Sequence, residues 1–194
     1  MDKKQEILDV TYDLFSEKGY SLSMSEISKA VNIKTPSLYS HFKNKDEIIE
    51  VTIKKEIERC FNTIYKKESE LANSSCEENL KSLFFLAVKY YKDNRRMRFW
   101  CHISLLQHEH LKNISRLLIE NRNSYLASSV RSCFKKGIED KEIREDITDG
   151  AIYLYLSMIQ GFLEVAQFNL SNDAIEDQAT MVWDAYWNGI KFQG

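Results

Sequence analysis

Pro36 is the single proline in 194 residues, and only six glycines accompany it. Backbone that must turn sharply needs residues that free or fix φ. A chain this poor in them, and rich in Leu, Ile, Glu and Lys, favours helices over a turn-rich β fold. The expected fold is all-α. The length allows a small head and a second core, or one large helical domain.

No segment approaches ~20 consecutive apolar residues. Met1-Asp2-Lys3-Lys4-Gln5-Glu6 enters an amphipathic pattern directly, without the apolar core of a signal peptide. The expectation is a cytoplasmic protein with no membrane partner. Cys60, Cys76, Cys101 and Cys133 show no CxxC pairing and are read as reduced thiols packed as small hydrophobes.

The formal charge of −2 argues against nucleic acid only if charge is spread evenly. It is not. From Ile27 to Lys45 the chain carries Lys29, Lys34, Lys43 and Lys45 and no acid, so a positive field, if functional, is local.

Ile7, Val10, Thr11, Leu14 and Phe15 recur at helical spacing before Gly19, which places a first helix at about 3–18. Ser23-Met24-Ser25-Glu26 has capping-box form, so a second helix runs from Met24 to about Val31. After the short connector Asn32-Ile33-Lys34, Thr35 is read as an N-cap and Pro36 as the first residue of a third helix to about Phe42. A fourth starts near Lys45 and carries Ile48, Ile49, Ile53, Ile57, Phe61 and Ile64 on one face to about Lys67. Further helices are expected at about 76–92, 95–107 and 109–136. A charged loop then covers Gly137 to Thr148, followed by an apolar helix from Ala151 to Asn169 and a last one from Ser171 to about Lys191.

Three short helices, the second and third joined by a tight turn, form a helix-turn-helix unit. Ile7, Phe15, Ile27, Ala30, Val31, Ile33, Leu38 and Phe42 are spaced to fill its core. The run from Asn32 to Lys45, with Leu38-Tyr39, Phe42 and Lys45 at these offsets, resembles the junction of helices 3 and 4 in the TetR family. The similarity reaches back through Phe15, Gly19-Tyr20, Ser23 and Ile27 and covers about the first fifty residues. It implies a head at 1–50, with its motif at about 23–42, and a helical ligand-sensing and dimerisation domain at 51–194. Lys34, Pro36 and Ser28 stand where many members have Ser, Gly or Ala, and Ala respectively, which bears on the operator sequence.

At the N-terminal end of the recognition helix, Lys34, Thr35 and Pro36 are the candidates for reading base edges. Ser23, Ser37, Tyr39, Ser40, His41 and Lys45 complete the DNA-binding set as positioning groups. Two of them have a plainer alternative. Aromatic residues on short helices are often core, which would take Tyr39 out of the set, and Lys45 also reads as a helix-start charge.

Family resemblance further implies that helices 8 and 9 pair with their mates in a homodimer, with Ile159, Leu163, Trp183 and Tyr186 at the interface. The helix from Ile152 to Phe168 supports this independently, because a helix apolar nearly all round has to be covered nearly all round. Phe99, Trp100, Ile103, Tyr125, Tyr155, Met158 and Phe162 are the candidates to line a site for a small, largely apolar effector. Cys101, His102, His108 and His110 match no standard zinc spacing, so neither metal nor cofactor is expected. No nucleophile elbow, phosphate-cradling glycine loop or carboxylate pair supports an enzyme. The functional expectation is a ligand-responsive repressor of a palindromic operator; the alternative is a helical interaction protein with a vestigial DNA head.

Overall fold

The computed structural model describes residues 2–147, 149–166 and 172–193, excepting the side chains of 91, 163–166 and 172–173. In chain order the helices are α1 Lys3–Lys18, α2 Met24–Ala30, α3 Thr35–Tyr39, α4 Lys45–Glu70, α5 Cys76–Tyr91, α6 Asn94–Ser104, α7 Glu109–Glu139, α8 Asp149–Ala166 and α9 Asn172–Ile190. The described β structure is confined to one isolated antiparallel bridge, Ile143 to Lys191.

Local chemistry sets several of the helix starts. Asp2 accepts from the Lys4 N–H at α1, Ser75 accepts from the Glu78 N–H at α5, and Ser23 with Glu26 makes a reciprocal capping box at α2. Several starts and stops differ from the sequence expectation: α3 ends at Tyr39, α4 at Glu70 and α6 at Ser104, each three residues from the expected end. Lys34, not Thr35, is the N-cap of α3, because the Thr35 hydroxyl is 2.9 Å from Ser28 Oγ instead of turning back to the helix amides. At the other end, α7 runs through Gly137 to Glu139. The amides of Glu142 and Ile143 donate to the Gly137 carbonyl at 2.8 and 3.0 Å, so the helix end is satisfied beyond the glycine.

The chain divides into two compact units. The first comprises Met1–Cys60 and Asn94–Asn121. Ile7, Phe15, Leu22, Ile27, Val31, Leu38 and Phe42 are buried in it. Ala30, expected inside, is exposed, and Ser28 takes the inward position next to Ile27. Helix α6 belongs to this core. Phe99 meets Phe15 edge-on with ring centroids 5.3 Å apart and lies 4.9 Å from Tyr12. Arg95 pairs with Asp13 at 3.0 Å, and Arg98 Nε donates to the Ser16 carbonyl at 3.3 Å.

The second unit comprises Phe61–Asp93 and Arg122–Gly194. Its core gathers Leu80, Phe84, Phe134, Tyr155, Trp183 and Trp187, with the two indoles stacked at 5.8 Å. Buried tyrosines retain partners: Tyr155 donates to the Leu80 carbonyl at 2.7 Å and Tyr186 to the Ala151 carbonyl at 2.9 Å.

Gly19 ends α1 at φ +57°, and a Cβ there would stand 2.6 Å from His102 Nδ1. Gly19→Ala therefore combines backbone strain with a clash, and urea unfolding should show a loss of about 1–3 kcal/mol. Adding His102→Ala should restore only the part due to the clash.

Candidate nucleic-acid interface

The α2–α3 turn is made by Asn32, whose φ of 54° suits an asparagine, and by the Ile33 amide donating to the Ser28 carbonyl at 2.9 Å. Leu38 and Phe42 are buried beneath the turn and pin α3 down. What remains outward is a continuous run: Lys34, Pro36, Ser37, Tyr39, Ser40 and His41 are all exposed, with Lys29 and Lys43 beside them in sequence. Tyr39 is 53% exposed, which removes the core alternative for that ring.

Thr35 is half-buried and oriented. Ser28 Oγ lies 3.0 Å from the Ser25 carbonyl, which takes its single proton, so Thr35 donates to Ser28 and its oxygen keeps acceptor capacity. Ser40 is similarly occupied, donating to the Ser37 carbonyl at 2.7 Å. The Ser23 hydroxyl is spent within the capping box, donating to Glu26 Oε2 at 2.8 Å and accepting from the Glu26 amide at 3.2 Å. Lys18 and Ser23 hold the Glu26 carboxyl down to a pKa of about 2.

Lys45 begins α4 and is partly withdrawn from solvent. Its Nζ donates to the Tyr20 carbonyl at 2.9 Å and sits 3.7 Å from the centre of the Tyr20 ring. The Tyr20 hydroxyl in turn donates to Asp46 Oδ1 at 2.7 Å, and that bond pushes its pKa up to about 12. His108 completes the knot, 3.4 Å from Asp46 Oδ2 and with its ring 5.0 Å from that of Tyr20. Tyr20 was assigned no role from the sequence; its only signal there was its place in the Gly19-Tyr20 pair.

The profile described as bacterial regulatory proteins, tetR family, matches residues 7–52, which contain this whole surface. A biofilm operon icaADBC HTH-type negative transcriptional regulator, IcaR, from Staphylococcus epidermidis is 40% identical over 91 residues, 46% of either chain. Its Staphylococcus aureus namesake is 28% identical over 189 residues, 95% of either chain. In residues 7–52 the chain is thus similar to the TetR family, and a weaker likeness to IcaR runs nearly its whole length.

The relatives it resembles are described as transcriptional regulators. Solved structures share the fold of this chain. A TetR transcription regulator from Haloarcula marismortui superposes with a TM-score of 0.78 at 17% identity, covering 98% of both chains. The ketosteroid transcriptional regulator KstR2 of Mycobacterium tuberculosis gives 0.71 at 16%, covering 99% of this chain and 96% of that one.

The residues expected to hold an effector are not brought to one cavity among the described residues. Phe99 and Ile103 are core of the first unit, with Trp100 edge-on to Phe99 at 6.2 Å. In the second unit Tyr125 is exposed against Tyr65, and Tyr155 is fully buried. Met158 and Phe162 do share a cavity of about 420 Å³, open to solvent, with Gly161, Gln178, Met181 and Val182. Of the residues expected between subunits, Ile159 is half-buried and the side chain of Leu163 lies outside the described residues. Trp183 and Tyr186 are held inside their own chain's core by Phe84, Trp187 and Tyr155. The outward apolar residues of α8 and α9 are instead Tyr153, Leu154 and Met181, 65%, 58% and 63% exposed. Among the described residues no helix is long and apolar enough to cross a membrane, and no group of three His, Cys, Asp or Glu side chains is placed to hold a metal.

The Glu26 carboxyl titrates below the ordinary value of 4.5, so its support of α2 is present above that pH and is lost as pH falls toward about 2. Thermal melts of the wild type and Glu26→Gln should differ at pH 6, with the wild type higher, and converge by pH 2.

Proposed function

We propose that this regulator is a homodimeric repressor of a two-fold related operator, released when a small apolar molecule enters its C-terminal half. The observation that carries the DNA half of this reading is the run from Lys34 to His41. One side of it is locked by Leu38 and Phe42, and the other offers a cation, a methyl-bearing acceptor, a proline surface, a phenol and an imidazole. Repression is supported by the staphylococcal relatives, both described as negative transcriptional regulators.

Dimerisation is supported by two independent features. A five-residue recognition helix reaches too few base pairs for useful selectivity, so a second copy is needed. Tyr153, Leu154 and Met181 leave an apolar patch on α8 and α9 of the kind a subunit interface covers. Met181 also lines the cavity with Met158, Phe162 and Val182, so a ligand there would touch a residue of the proposed subunit contact. Filling it changes the angle between subunits, and the heads must meet successive major grooves ~34–36 Å apart. Helix α4, continuous from Lys45 to Glu70, is the element suited to carry a displacement to the reading surface. Release by an effector that favours the spread dimer about 100-fold corresponds to ~2.7 kcal/mol of coupling, and DNA weakens effector binding equally.

Mobility-shift titrations on a panel of operator variants test the contact roles. Thr35→Ala should change base preference, by about 1–3 kcal/mol at one position of each half-site, whereas Tyr39→Phe should weaken all sequences alike. A strongly sequence-selective effect of Tyr39→Phe would reverse the assignment. Met181→Asp, placing a charge on the exposed α8/α9 face, should shift light-scattering mass from two chains to one and abolish operator binding, with helicity unchanged.

A further inference from the structure

Two of the four cysteines, 57 positions apart, meet in the second unit with their Sγ atoms separated by 2.9 Å. Cys76 is the first residue of α5, just past the Ser75 cap. Cys133 lies on α7, one helical turn before Gly137. The fit is specific: a Cβ on Gly137 would stand 2.9 Å from both Cβ and Sγ of Cys76, so the missing side chain makes the room that lets the thiols approach. Glu142 fixes the other side, accepting from the backbone amides of Cys76 and Glu77 at 3.1 and 3.2 Å. Both sulphurs are unbonded thiols.

We propose that Cys76 and Cys133 form a redox-active dithiol, a site at which a hydroperoxide converts the pair to a disulfide. A disulfide is about 2.05 Å long, so closing the gap takes about 0.9 Å of sulphur movement, within reach of small side-chain rotations. The two cysteines are not equivalent. Cys133 is half-buried and Cys76 is buried, so a small oxidant reaches Cys133 first. The hydrogen bond from the Cys76 thiol favours the Cys133 thiolate, against burial and the Glu142 charge and with Lys136, and its pKa falls below the ordinary thiol value. The Cys76 thiol is pushed up by holding that shared proton and by burial.

The chemistry then has a fixed order. The Cys133 thiolate attacks one peroxide oxygen, the O–O bond breaks, and the other oxygen leaves as hydroxide and takes a proton to become water. Cys133 is now a sulfenic acid. Cys76 attacks that sulphur and loses its proton, the S–O bond breaks, and the second oxygen departs as water. Two thiols have lost two electrons in all, and hydrogen peroxide has been reduced to two waters. The product ties the start of α5 to α7 covalently, a chemical input separate from any apolar effector.

The experiment treats the reduced full-length protein with one equivalent of hydrogen peroxide, blocks residual thiols with iodoacetamide and maps the digest without reductant by mass spectrometry. The expected result is a linked peptide pair containing Cys76 and Cys133, an intact mass lower by two hydrogens before blocking, and complete reversal by dithiothreitol. Cys60 and Cys101 should remain blockable. In Cys76→Ser, dimedone should trap a sulfenic acid on Cys133; in Cys133→Ser, Cys76 should stay reduced. The proposal is overturned if Cys60 or Cys101 oxidises first, or if wild-type Cys133 advances to the sulfinic acid without linking. Should either variant fail to fold, the wild-type peptide map alone decides.

Discussion

The contact between Phe15 and Phe99 is the one on which the reading surface rests. Phe15 belongs to α1, and its ring, like that of Tyr12, is covered by a residue more than eighty positions later in the chain. Fully burying a phenylalanine contributes roughly 1.5–3 kcal/mol, a large share of what a head of about fifty residues can accumulate from its own core. Arg95 to Asp13 and Arg98 to the Ser16 carbonyl hold α6 in the register that keeps Phe99 there. The close approach of His102 to Gly19 extends the same seam to the end of α1.

From that seam the rest of the surface follows in order. Gly19 turns the chain, which puts Tyr20 where Lys45 can grip its carbonyl and ring and Asp46 can accept its hydroxyl. The start of α4 is thereby fixed against the end of α1. The segment between them has little freedom left: α2 is capped by its own Ser23 and Glu26, and α3 is anchored by Leu38 and Phe42. Lys45 thus serves the architecture of the head directly, through a carbonyl and an aromatic face inside the protein.

How much of this was legible in the sequence depends on how far each interaction reaches along the chain. Signals that act within one turn were readable: Ser23 with Glu26 and Gly19 mark their helix ends because the groups they satisfy are three or four residues away. The face of residues 34–41 was readable for the same reason, since Leu38 and Phe42 define its buried side. Thr35 was misplaced as a cap because Ser28, seven residues back, competes for its hydroxyl, and a capping rule does not weigh a neighbour across a turn. Periodicity put Ala30 inside and left Ser28 out, since a small hydroxyl-bearing residue gives no apolar signal. Membership of α6 in the head, the burial of Trp183 and the meeting of Cys76 with Cys133 each depend on pairing distant segments, and no local rule carries that information.

The division of the chain also sets how it can be recombined. It crosses between its two units at 60/61, 93/94 and 121/122, so no single cut separates them. A chimera joined after the helix-turn-helix would carry the DNA-contacting face but press Phe15 and Tyr12 against another protein's α6. Its operator preference would arrive intact on a head whose packing had been left behind. Exchanging the head therefore asks for two grafts, the N-terminal sixty residues and the stretch from Asn94 to Asn121, which pack together as one unit.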